Sequence, residues 1–211
     1  MPAAILTSAI VLAISAPGLA GPAKGPLKVL PTNPRYFTDG SGRAVLLTGS
    51  HTWNKLVEIA RPAPAQANPV VDFDEFLKFL EAHHHNCFRL WAWENAASFN
   101  TKGQILYRQD PMPFARTGPG DALDGLPKFD LTKLNQPYFD RLRQRVAAAR
   151  DRGMYVVVML FQGFSIVQKD DSHGDPWKGH PFHGANNVNG LDGDSNATAR
   201  AWRRSAWPCP Q

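Results

Sequence analysis

Three short runs of the chain are apolar at nearly every position: 44–48, 87–92 and 154–160. Unbroken apolar runs of this length, rather than strict alternation, predict strands covered on both faces. Two stretches between them repeat apolar residues at helical spacing. The first is Phe73, Phe76, Leu77 and Leu80, and the second is Tyr138, Phe139, Leu142, Val146 and Ala149. Asp72, with Glu75 three residues on, forms a capping-box pattern that starts the first helix. Asn135 stands at the cap of the second, with Pro137 in its first turn and Gly153 at its end. The pattern thus predicts helices over 72–84 and 136–152. Strand, helix, strand, helix, strand, with every strand apolar, predicts an α/β fold with a parallel sheet and right-handed crossovers.

Polar and aromatic residues gather where each predicted strand ends. The first end carries His51 and Trp53. The second carries Arg89, Trp91, Trp93, Glu94 and Asn95, and the third carries Gln162. Ligands of α/β folds bind at this side of the sheet. Indole faces beside a cation and a carboxylate suit a polyhydroxylated ligand, with rings against its C–H faces and polar groups on its hydroxyls. The competing reading is two core tryptophans and a buried Arg–Glu pair. His51-Thr-Trp53 stands where a glycine-rich phosphate loop would follow the first strand, which argues against a nucleotide. Two long irregular segments, 96–134 and 163–189, are expected to be functional loops. The second holds Trp177, His180, His183, Asn186 and Asn187.

Composition adds limits. A chain of 211 residues with 43% hydrophobic content suits one domain or part of one. Of the formal net charge of +5, three charges come from Arg200, Arg203 and Arg204 near the end, and no basic helix is present, so no nucleic acid partner is expected. His83, His84 and His85 are consecutive on a helix end and point about 100° apart, so they cannot converge on one ion. His180 and His183 lack a third ligand. No metal and no cofactor are expected. Cys87 lies in an apolar strand and reads as a buried free thiol rather than half of a disulfide with Cys209. Residues 1–20 read as an export signal: Ala3 to Ile14 is mostly apolar but short for a span, and Gly18-Leu-Ala20 supplies small residues. The expected location is therefore secreted or periplasmic, with no membrane attachment after signal removal.

Asn33-Pro-Arg-Tyr-Phe-Thr-Asp-Gly-Ser-Gly42, Leu47-Thr-Gly-Ser-His-Thr-Trp53, Phe88-Arg-Leu-Trp91 with Glu94, Phe129-Asp-Leu131, Tyr138-Phe-Asp140 and His180-Pro-Phe182 with Asn186-Asn187 together resemble the exported cellulase-like glycoside hydrolases of the retaining (β/α)8 clan. The resemblance covers residues 27 to 194. It implies a glycoside hydrolase acting on an oligo- or polysaccharide, built as the first three βα units of an incomplete (β/α)8 TIM barrel. In that clan two glutamates, after strands four and seven, carry out the chemistry, with their carboxyls about 5–5.5 Å apart. Glu94 corresponds to neither, so both catalytic glutamates are expected beyond this chain, which would be inactive alone. The resemblance makes Arg89 a support for the nucleophile. It makes the aromatic and His residues at the strand ends, His51, Trp53, Trp91 and Trp93, lining for substrate subsites, and Glu94, Gln162, Trp177, His180, His183, Asn186 and Asn187 join them as substrate-binding candidates, with hydrogen-bonding or loop-packing roles the competing reading for His180 and His183. The alternative is a non-catalytic carbohydrate-binding protein. From Ser195 the composition changes abruptly, and residues 195–211 are expected to be a frameshifted tail without a packed place.

Overall fold

The computed structural model describes residues 21–61, 71–159, 163–167 and 174–194. The export signal at 1–20, most of the Pro/Ala-rich loop at 61–69, Gln162 and the tail at 195–211 lie outside the described residues.

In chain order the elements are β1 (Lys28–Val29), β2 (Phe37–Thr38), β3 (Glu58–Ala60), α1 (Phe73–Ala82), β4 (Cys87–Trp91), β5 (Ala97–Phe99), β6 (Ile105–Asp110), β7 (Phe114–Asp121), β8 (Pro127–Leu134), α2 (Gln136–Asp151), β9 (Tyr155–Met159) and a short α3 (Phe164–Val167). Two 3₁₀ turns, Trp177–Gly179 and Gly184–Asn186, follow. The strands form small sheets: β1–β2, β3–β6–β5, β4–β9 and β7–β8. Only β4–β9 is parallel, and the other three are antiparallel.

This corrects the expected fold class. The described residues do not build an incomplete (β/α)8 barrel of three parallel strands. The run at 44–48 forms no strand. Its one ladder contact is an antiparallel bridge from Val45 to Phe37, and Leu46 is 79% exposed. The Asn86 side chain holds this segment instead. Its amide nitrogen donates to the Leu46 carbonyl at 2.8 Å, and its oxygen accepts from the Thr48 N–H at 2.9 Å. One side chain thus satisfies backbone groups that a neighbouring strand would otherwise have to pair. The expected loop at 96–134 is instead antiparallel sheet, made by β5 to β8.

Local signals do act where the chain supplies its own partners. Asp72 caps α1, its carboxylate accepting from the Glu75 N–H at 3.0 Å. Phe76, Leu77 and Leu80 are buried from α1, and Phe73 packs beside them. Asn135 occupies the cap position of α2, but its side chain donates to the Met112 carbonyl at 2.8 Å rather than to the helix. Gly153 ends α2 with φ +73°, a conformation costly for any residue with a Cβ.

The core lies between α1, α2 and one face of β4. Phe88 meets Phe73 and Phe76 edge-on, at 6.0 and 5.3 Å between ring centroids. Leu56, Val57, Leu90, Phe129, Tyr138, Ala149 and Met154 complete it. Each large apolar side chain taken from water here contributes about 1.5–3 kcal/mol. Arg152, just after α2, reaches Glu81 of α1 at 2.8 Å and also pairs with Asp74, tying the two helices together.

Candidate functional site

β4 alternates its faces. Phe88 and Leu90 point into the core, while Cys87, Arg89 and Trp91 lie on the opposite face, beside Tyr155, Val157 and Met159 of β9. That face continues into the 51–54 segment. Trp53 is 57% exposed and lies 4.9 Å from Trp91 and 5.7 Å from Trp93 between ring centroids. Trp91 and Trp93 stack at 5.9 Å, and His51 is 6.1 Å from Trp91. Three indoles and an imidazole therefore form one cluster whose outer member is open to solvent.

Two constraints hold the cluster. The Trp93 indole N–H donates to the Trp53 carbonyl. Trp93 itself has φ +40°, a sparsely populated conformation for a bulky residue that the surrounding packing must enforce. Gly49 is the second. A Cβ there would fall 1.6 Å from the Cys87 carbonyl oxygen, so only glycine lets the segment lie this close to β4.

The sharp turn at Trp93 sends the chain into a polar interior. Glu94 faces His180, Oε2 to Nε2 at 3.8 Å. The His180 Nδ1 accepts the Phe182 N–H at 3.0 Å, which leaves Nε2 to carry the ring proton toward Glu94. Asn95 is fully buried and accepts from the Ser165 hydroxyl at 3.1 Å. The Tyr138 phenol is pushed up to about 12 by burial and by the negative charge of Glu94. Tyr138 is thus a neutral neighbour of that carboxylate at ordinary pH.

The sequence-predicted residues fall into two groups. His51, Trp53, Trp91 and Arg89 meet on the open face of β4, and Trp93, 7% exposed and part of the core, packs against Trp53 and Trp91 from within. Trp177, His180 and His183 form a second aromatic cluster, Trp177 lying 5.0 Å from His180 and 5.8 Å from His183. Trp177 and His180 are buried, so this cluster is packed rather than presented. Glu94 bridges the groups in the chain, following Trp93 and facing His180. Asn186 and Asn187 are buried and occupied. Asn186 donates to the Lys178 and His180 carbonyls and accepts from the Leu123 N–H. The Asn187 amide nitrogen has the Pro181, His183 and Leu191 carbonyls around it at 2.8–3.1 Å to share its two hydrogens, and its oxygen accepts from the Leu191 N–H at 3.1 Å. Both amides hold the loop backbone around them. His83, His84 and His85 do not converge, and no His, Cys, Asp or Glu group among the described residues could hold a metal ion.

Sequence reasoning passed over Tyr138 and Lys55. Tyr138 is camouflaged as part of the apolar stripe of α2. Lys55 is 5% exposed, with its ammonium 3.7 Å from the Phe76 ring centroid. Burial, with Arg145 nearby, lowers its pKa to about 8. The only signal in sequence is its position between Trp53 and the apolar pair Leu56-Val57.

The described residues define a fold of small, mostly antiparallel sheets with a few helices, with the exposed Trp53 on its surface. A family described as a domain of unknown function, DUF6298, matches residues 106–195. That span begins in β6 and holds His180, Asn186 and Asn187, but not Trp53, Trp91 or Trp93. Comparison with curated proteins and with solved structures found no match.

Proposed function

We propose that the chain binds an oligo- or polysaccharide on the surface formed by Trp53 and Trp91, with the buried Trp93 behind them, and serves a glycoside hydrolase, an enzyme that cleaves O-glycosyl bonds. The observation that carries this reading is the exposed Trp53 resting on two further indoles. A large apolar ring held open to water by packing beneath it is poorly explained as core. It is well suited to the C–H face of a sugar. The motif resemblance set out above supports the hydrolase part.

A second reading, carbohydrate binding without catalysis, is favoured by the carboxylates. Glu58 pairs with Arg141 at 3.0 Å, Glu75 with Lys78 at 2.7 Å and Glu81 with Arg152 at 2.8 Å. Glu94 is the one glutamate next to the tryptophan cluster, whereas retaining hydrolysis uses two carboxyls about 5–5.5 Å apart.

The test is calorimetry of the purified chain against a panel of neutral and acidic oligosaccharides, run alongside an assay for released reducing ends. Binding that Trp53→Ala weakens at least tenfold supports the glycan site. Turnover in the same preparation supports hydrolysis, and binding without turnover supports the second reading. A chain that binds no glycan of the panel refutes both.

A further inference from the structure

Arg89, like Arg35, Arg43, Arg61 and Arg143, forms no ion pair among the described residues, and what sets it apart is its place against Trp91. Arg108 and Arg116 pair with Asp124, Arg141 and Arg145 with Glu58, and Arg152 with Asp74 and Glu81. Arg89 is exposed in the middle of β4, and among the described residues no carboxylate pairs with it. Its register neighbour on β9 is Val157, an apolar residue that is 50% exposed. The guanidinium carbon lies 5.3 Å from the Trp91 ring centroid. Arg89 and Trp91 are two residues apart on one strand face, about 7 Å along the strand.

A small cavity of about 190 Å³ opens beside this cation, lined by Thr48, Gly49, His51, Cys87, Arg89 and Val157 among others. No aspartate or glutamate lines it. A guanidinium presents N–H groups in a planar fork that matches a carboxylate bidentately, and a ring beside it helps fix its plane. A neutral sugar needs the indoles but not an uncompensated cation at their edge. A sugar bearing a carboxylate needs both.

We propose that Arg89 makes the tryptophan surface selective for acidic glycans, with the uronate carboxylate taken by the guanidinium and the pyranose ring by Trp91 and Trp53. This rests on the glycan-binding reading above and names its substrate class.

The experiment compares two oligosaccharides of equal length, a neutral cello-oligosaccharide and an oligogalacturonate, by calorimetry at low and at high salt. The expected result is at least tenfold tighter binding of the uronate at low salt, narrowing as salt is added. Arg89→Gln brings the uronate-to-neutral affinity ratio close to one, and Arg89→Lys leaves an intermediate ratio. Lys102→Gln, which removes an exposed charge elsewhere, leaves the ratio at its wild-type value. Circular dichroism and a thermal melt confirm that each variant is folded. Equal affinity of the wild-type chain for the two glycans overturns the selectivity while leaving the glycan site standing. So does an equal loss of ratio in Lys102→Gln, which marks diffuse charge attraction, or an Arg89→Gln variant that keeps the wild-type ratio. Binding of neither glycan, nor of any other in the panel, removes the glycan reading and the selectivity together.

Discussion

At the scale of single residues, Lys55 is the clearest case of a group held against its solution preference. It is buried over Phe76, and its pKa falls from 10.5 to about 8. Because the folded value lies below the unfolded one, the unfolded chain binds more protons between pH 8 and about 10, and stability rises with pH there. Below pH 8 the penalty for the buried ammonium is fully present. Lys55→Met, which keeps the packing and removes the charge, is expected to stabilise the chain at pH 7 by about 1–2 kcal/mol. It should also flatten the rise between pH 8 and 10 in urea melts. An unchanged pH profile would show that the ammonium reaches water. Asn86 is the second decisive residue, since its amide clamps Leu46 and Thr48 to β4. Asn86→Ala strands those backbone groups and is expected to cost about 1–3 kcal/mol. It should also loosen the 46–53 segment, read as faster hydrogen exchange at Thr48 and altered fluorescence of Trp53.

At the scale of elements, α1 is specified almost wholly by its own residues. The Asp72 cap, the acidic first turn at Asp74 and Glu75 and the buried face at Phe76, Leu77 and Leu80 agree with one another. Asp72→Ala is expected to cost about 0.5–2 kcal/mol in a denaturant melt, with little effect on glycan affinity, because the cap lies away from the tryptophan face. The β strands behave differently. β7 and β8 pair across the turn at 122–126, where the Ala122 N–H donates to the Leu126 carbonyl at 2.8 Å. The register shifts twice within that pair, and Gly118, Pro119, Gly120 and Gly125 interrupt any alternation of apolar and polar residues. A strand made this way leaves little periodic trace in the sequence.

At the scale of the whole molecule, the open face of the β4–β9 pair is the feature with consequences. Parallel strands are normally covered on both sides, yet Val157 is half exposed. A groove of about 560 Å³ runs along this face past Phe37, Leu47, Met154 and Val157. Exposed apolar surface of this kind binds hydrophobic dyes and promotes self-association. The native chain is expected to enhance the fluorescence of an anilinonaphthalene dye, and Val157→Asp should reduce that signal without lowering helix content. A signal unmoved by the substitution would place dye binding elsewhere. The tryptophan surface and Arg89 lie on the same face, so a long glycan on it would cover part of the same apolar strip and compete with the dye.

The sequence by itself determined both helices and the strands at β4 and β9. Helix caps and stripes are read from residues a few positions apart, and β4 and β9 are apolar enough to demand burial wherever they go. Only the tertiary structure decided which backbones pair. The 44–48 run is as apolar as the other two, but Asn86 and Gly49 seat it beside β4 without making it a strand. The three-stranded parallel sheet inferred from the pattern, and the barrel that the resemblance implies, are therefore absent among the described residues. The same holds for the polar residues of the late loop. Asn186 and Asn187 look like ligand-binding amides in sequence, and they become internal props because backbone carbonyls from several turns converge on them. Hydrogen-bond partners far apart in the chain carry no local signature, so folding alone separates an amide that binds from one that holds.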